Sequence, residues 1–184
     1  MRTVEEEQGA VAGPGNEDAG GIGDQDQSFL GLVYNDRTTE KATGSLGINW
    51  GADNANDNDG QPGDRSVQFV EVADPDGLTS RGAAVHYGVE TSADGQQTLV
   101  AYTGGPDAKH VVFTVALSDA SAHGDYTFTL HDVLDQHGQG EDTLSLSFRY
   151  TATDSDGDTT APGTMHVNVI DDTPVALGTI VPRF

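Results

Sequence analysis

Asp154-Ser155-Asp156-Gly157-Asp158 places carboxylates at alternate positions around a glycine, between two apolar stretches near the end of the chain. In a short loop, alternate side chains turn to the same side, so three hard oxygens can converge on one cation. Asp, Asn and backbone carbonyl oxygens form the donor set that suits calcium. The run begins like an EF-hand loop, but position 12 counted from Asp154 is Met165 instead of Glu, and no helical period flanks it. An EF-hand is therefore not expected. The plain alternative is a solvated hairpin turn.

A second run of the same donors lies in GADNANDNDGQPGD, which carries Asp53, Asn54, Asn56, Asp57, Asn58, Asp59 and Asp64. Asn and Asp also form turns through their own backbone hydrogen bonds, so loop formation alone is the competing explanation. The first residues add Glu5, Glu6, Glu7, Glu17, Asp18, Asp24 and Asp26, and Asp171 and Asp172 close the last apolar stretch. Acids from these two ends could share an ion only across a boundary between successive modules. The expected metal ligands are thus Asp154, Asp156, Asp158, Asp171, Asp172, Asp53, Asp57, Asp59, Asp24 and Asp26, with Ca2+ as the ion.

Other chemistry finds less support. His86, His110, His123, His131, His137 and His166 show no HExxH or comparable metal spacing, although HDVLDQH, from His131 to His137, could in principle hold zinc. There is no GxSxG elbow, no GxxxxGK phosphate loop, and no pair of acids singled out for glycoside hydrolysis. With no cysteine, the chain has no disulfide, thiolate metal site or cysteine nucleophile. A non-enzymatic protein is expected.

These loops must be held by strands. From Phe29 to Ile170, short apolar alternations recur between clusters of Gly, Asn, Asp and Pro, with no sustained helical period. The pattern predicts strands over 67–72, 83–89, 98–102, 111–117, 126–130, 144–152 and 165–170, with a further one at 46–50. Leu144, Leu146, Phe148, Tyr150 and Ala152 share one face, while Ser145, Ser147, Arg149 and Thr151 share the other. Val111, Phe113, Val115 and Leu117 form a second inward row, and Tyr126, Phe128 and Leu130 a third; Trp50 joins this core. The expected fold is all-β, an antiparallel Ig-like or Greek-key β-sandwich of about 7–9 strands with calcium-binding loops. The domain spans 29–172, between an acidic, Gly-rich lead-in at 1–28 and a connector at 173–184.

Of 184 residues, thirty are Asp or Glu and eight are Lys or Arg, for a net charge of −22. Such a balance argues against nucleic acid or an anionic membrane as partner, and like charges in a compact state call for cations unless they merely solvate the surface. A monomer in isolation is expected. No apolar run reaches the roughly 18 residues of a membrane span, and MRTVEEEQGA lacks a signal-peptide core. The chain reads as a piece of a longer parent whose export signal lies elsewhere.

The ordered set VEEEQ, GIGDQDQS, GSLGINWGADN, GLTSRGAAVHYGV, TLVAYTGG, VVFTVALSD, GDYTFTLHDVLDQ and LSFRYTATDSDGDTTAPGTMHVNVIDDTP resembles the β-sandwich repeat of giant RTX adhesins and biofilm-associated proteins exported by type I secretion. The likeness runs from Val4 to about Pro174. It implies a calcium-binding extender domain at the bacterial cell surface, supporting adhesion and biofilm formation, with neighbouring repeats as partners. Asp154, Asp156, Asp158, Asp171 and Asp172 match the closing acidic motif, and Asp53 matches the acid of the GADN loop. GADNANDNDGQPGDRS is longer than the usual loop, which keeps open a recognition role toward a surface glycan or protein, or a scaffold for an inserted ligand-binding domain. That role could use the 53–64 loop with His86, Tyr87 and Tyr102. The glycine-rich nonapeptide repeat of the export signal is absent from this sequence.

Overall fold

The computed structural model describes residues 2–5, 40–56, 63–105, 108–136 and 143–170. Within them the chain is all-β, an antiparallel β-sandwich with no helix. In chain order the strands are β1 (Arg2–Glu5), β2 (Glu40–Ser45), β3 (Ser66–Phe69), β4 (Thr79–Ser80), β5 (Ala83–Ala84), β6 (His86–Thr91), β7 (Gln97–Thr103), β8 (His110–Ser118), β9 (Asp125–Leu130), β10 (Thr143–Thr153) and β11 (Gly163–Ile170). One sheet has the order β1-β11-β10-β3 and the other β2-β9-β8-β7-β6, with β4 and β5 forming a separate hairpin. The chain crosses between sheets from β1 to β2, from β2 to β3, from β3 by way of the β4–β5 hairpin to β6, and from β9 to β10, giving the β3-β10-β11 and β2-β9-β8 groupings of an Ig-like Greek key. Every pair is antiparallel except β1 with β11.

The period-2 rows meet where the sheets face each other. Leu146, Phe148, Tyr150 and Ala152 of β10 are buried, as are Met165, Val167 and Val169 of β11, with the intervening residues turned outward. From the other sheet Phe113 stands 5.1 Å from Phe128, ring centre to ring centre, and 6.1 Å from Phe148, with Tyr87 at 5.8 Å from Phe113. This aromatic cluster ties the sheets together, each fully buried Phe contributing about 1.5–3 kcal/mol. Two tyrosines lie flat over glycines: an added Cβ at Gly44 would reach the Tyr126 ring at 2.6 Å, and one at Gly163 the Tyr150 ring at 2.7 Å. The Tyr150 hydroxyl then donates to the Leu46 carbonyl at 2.6 Å, joining β10 to the chain leaving β2.

Backbone geometry sets the departures from strict alternation. The stretch 46–50 is not a strand: it follows β2 as an irregular segment bonded through Leu46 N–H to Gly124 O and Ile48 N–H to His123 O. Gly47 at φ 71° and Gly51 at φ 73° break the pleat, while Leu46, Ile48 and Trp50 still point inward and are buried. On β8 the register shifts opposite Ala101 and Tyr102, so Val112 bulges, and Val112 instead of Val111 is fully buried beside Phe113. The 67–72 stretch ends at Phe69, two residues before Glu71 at φ 55°. The 83–89 stretch divides at Val85, whose N–H bonds to Leu78 O. Arg2–Glu5, within the acidic lead-in, forms a strand parallel to β11.

Candidate metal site

β10 and β11 pair from Thr143 with Ile170 to Tyr150 with Gly163, so the 154–162 loop caps one end of the sandwich. The strands stay together past the ladder through a Thr153–Thr159 bridge and a Thr160 N–H bond to Ala152 O at 2.9 Å. At the tip, Asp154 N–H donates to Asp158 O at 3.0 Å, and Asp154 Oδ1 accepts from the N–H groups of Gly157 at 3.1 Å and Asp158 at 2.8 Å. This is an Asx-type turn, and Gly157 supplies its φ of 102°.

The turn brings one oxygen from each of Asp154, Asp156 and Asp158 within 4.8 Å of one another. Two oxygens on one calcium, each at about 2.3–2.6 Å, are at most about 5 Å apart, so the spacing fits a shared ion. The repulsion is already visible in the protons. A hydrogen bond between the two side chains holds Asp154 below the usual carboxylate range and pushes Asp156 above it, where the Asp154 charge adds to the effect. A divalent cation among the three would relieve the repulsion between them. Among the described residues, no ion pair reaches the three carboxylates.

The second acidic run arrives beside the first. Ser155 N–H donates to Asp53 O at 3.1 Å, although the Asp53 carboxylate is not among the three grouped oxygens. What holds the 51–56 segment there is Arg65, which the sequence reading did not single out. Its Nε and Nη2 donate to Asp119 O at 3.0 and 2.6 Å, and Nη2 also reaches Ser121 O at 3.1 Å. Its guanidinium lies 4.9 Å over the Trp50 ring, and its N–H bonds to Ala55 O at 3.1 Å. Asp119 is buried, its Oδ1 taking Gln96 Nε2 at 2.7 Å and Asn56 Nδ2 at 3.3 Å. Asp24, Asp26, Asp57, Asp59, Asp171 and Asp172 lie outside the described residues.

At the far end of β8 and β9, other acids are arranged differently. Arg81 and Gly82 form the two-residue β4–β5 turn with φ of 51° and 77°, an uncommon conformation for Arg. Asp135 stabilises it by accepting Arg81 N–H at 2.9 Å and Gly82 N–H at 2.7 Å. The Arg81 guanidinium in turn grips Asp132, Nη2 to Oδ1 at 2.7 Å, and His110 Nε2 reaches Asp132 Oδ2 at 2.6 Å. Hydrogen bonds from Arg81, then from His110 and Val133 N–H, pull the Asp132 carboxyl down to about 2 against its partial burial. The acids of the sequence read as a zinc candidate thus face Arg81 and a turn. His131 instead approaches Thr114 Oγ1 at 3.4 Å, and burial lowers its pKa; His137 is outside the described residues.

Of the aromatic residues considered for recognition, Tyr87 packs against Phe113 and Phe148 in the core, and burial raises its hydroxyl pKa. His86 and Tyr102 pair at 5.9 Å, with Lys109 Nζ 4.4 Å from the Tyr102 ring centre. No helix among the described residues is long and apolar enough to cross a membrane. The chain matches no known family model, no curated protein and no solved structure.

Proposed function

We propose that this chain is a calcium-binding β-sandwich module, a structural extender of a bacterial cell-surface adhesin, secreted and then rigidified by extracellular calcium. The convergence of Asp154, Asp156 and Asp158 on one side of an ordered turn carries the reading, with no cationic partner among the described residues. The two acidic runs meet at one end through Ser155 and Asp53, so an ion there would also tie the 51–56 segment to the β10–β11 loop.

Extracellular modules bind calcium with Kd of about 10⁻⁴–10⁻³ M, well above cytosolic concentrations. The chain would stay loosely folded inside the cell and tighten outside, stabilised by about 2.7 kcal/mol at a hundredfold excess over Kd. β11 leaves the sandwich at the end away from the 154–162 loop, and Asp171 and Asp172 follow it directly. In a tandem array, those two acids would face the next repeat and limit bending at the joint. Neighbouring repeats are the proposed partners.

Thermal unfolding in EDTA and in about 10–100 mM calcium, a hundredfold excess over a Kd of about 10⁻⁴–10⁻³ M, tests this reading. The expected result is a melting temperature higher by about 5–10 °C with calcium near a hundredfold excess over Kd. Equal curves would remove calcium from the account. A glycan-recognition module is the second reading, favoured by the outward His86–Tyr102 pair with Asp74 and Lys109 beside it. A calcium-dependent hit on a glycan array, lost in Tyr102→Ala, would support it.

A further inference from the structure

The two long sides of the sandwich are closed differently. Along one side β1 and β2 pack against each other. Along the other, β3 and β6 are the terminal strands of their sheets among the described residues. A terminal strand displays N–H and C=O groups that template pairing with another strand. Here each of the two edges carries a side-chain plug at a ladder position.

On β6 the N–H of Tyr87 donates to Asp74 Oδ1 at 2.8 Å, and Asp74 Oδ2 takes His86 Nδ1 at 2.8 Å. In an antiparallel ladder, alternate N–H groups face the neighbour and the open side. The Tyr87 N–H therefore faces outward, on the side where Leu78 O already takes Val85 N–H, and Asp74 extends that cover by one ladder position to the start of the edge a second strand would take. On β3 the N–H of Phe69 donates to Gln97 Oε1 at 2.8 Å, while the next N–H, of Val70, turns back to Arg149 O at 3.0 Å. Phe69 N–H is thus also an outward group, and Gln97 reaches it from the opposite sheet. Asp74 and Gln97 come from different elements, yet each satisfies the same kind of group on the same side of the molecule.

We propose that the β3–β6 side is a strand-pairing surface held shut by Asp74 and Gln97, and that its occupant, once the plugs are removed, is the same edge of a second copy of this chain. An antiparallel edge pairs with itself about a two-fold axis, so β6 needs no other partner. Val89, one of the large apolar side chains left exposed, lies on this strand two residues beyond Tyr87 and offers an apolar contact to a mating edge. Asp74 also places a negative charge where the mating strand would lie, and its carboxyl is held below the usual range first by the His86 hydrogen bond and then by Tyr87 N–H. The inference is independent of any metal.

The test is sedimentation of the whole chain at high ionic strength, where the repulsion between these acidic copies is screened. Wild type is expected to stay at the mass of one chain. Asp74→Ala should shift toward two chains with rising concentration, and Asp74→Ala with Gln97→Ala should shift further. Asp74→Asn keeps an oxygen for Tyr87 N–H and should remain single. Since the chain has no cysteine, Val89→Cys introduces its only thiol, and a disulfide between copies should form in the Asp74→Ala background but not otherwise. Association of Asp74→Asn equal to that of Asp74→Ala would overturn the plug, as would a single-chain Asp74→Ala or dimers without the Val89→Cys link. Asp74 is exposed, so if the double variant loses its β signal in circular dichroism, the single variant decides.

Discussion

At the end of the sandwich where the β4–β5 hairpin meets the 131–136 segment, every oxygen of Asp132 and Asp135 has a donor: Arg81 and His110 side chains, and the N–H groups of Val133, Arg81 and Gly82. At the other end, Asp154 takes N–H groups from its own turn, and the Asp154 and Asp156 carboxyls perturb each other, Asp154 lowered and Asp156 raised. Both ends are acidic loops joining strands. They differ in who meets the carboxylates: at the first end Arg81 pairs with Asp132 and backbone N–H groups hold Asp135, while at the second no cation pairs with Asp154, Asp156 or Asp158 among the described residues. A carboxylate-rich loop is therefore informative only once its donors have been traced.

The largest effect separating the two ends should come from calcium. Asp156→Ala with Asp158→Ala leaves Asp154 to order the turn and should abolish most of the rise of about 5–10 °C that calcium gives wild type. A melting comparison with and without EDTA reads this directly. Should the double variant keep the full rise, the ion sits elsewhere.

A smaller effect, indifferent to calcium, is expected from Asp132→Ala. It leaves Arg81 and Val133 N–H without their acceptor and should cost about 1–2 kcal/mol, allowing for the exposure of Arg81. Chemical denaturation should show a lower midpoint with an unchanged slope, equally in calcium and EDTA. A calcium-dependent loss would mean that the two ends are coupled.

The smallest effect separates the ends by pH. The folded Asp132 carboxyl, at about 2, lies below the ordinary aspartate value of 3.8, so its contribution is complete above the unfolded value and fades as pH falls through the folded one. The stability gap between wild type and Asp132→Ala should therefore close between pH about 4 and about 2. At Asp156 the shift is upward, so acid relieves repulsion there and the sign is opposite. Unfolding curves of wild type and Asp132→Ala over this range check the first half. A gap that persists at the acid limit would show that packing, not charge, carries the effect of Asp132.

How far this contrast was legible in the sequence depends on the range of the interactions. The rows on β10 and β11 and the Asp154–Asp158 turn follow from local spacing, and the structure places them as the alternation predicts. Val112 could not be told from Val111, because a bulge depends on the partner strand. Nor does local pattern reveal a glycine at positive φ interrupting an alternating row, as at Gly47 between Leu46 and Ile48. Arg65 and Arg81 carry no local signal of their roles, because their partners lie 54 and 51 residues away. One signal was available: both are rare cations in an acidic chain, and such residues are held where a charge is needed.

Calorimetric titration of calcium into the metal-free chain, with the Asp156→Ala, Asp158→Ala variant alongside, asks whether the 154–158 turn is a calcium site. The predicted result is binding with Kd of about 10⁻⁴–10⁻³ M in wild type and its loss in the variant. Heats that are identical in the two proteins, or absent from both, would contradict it.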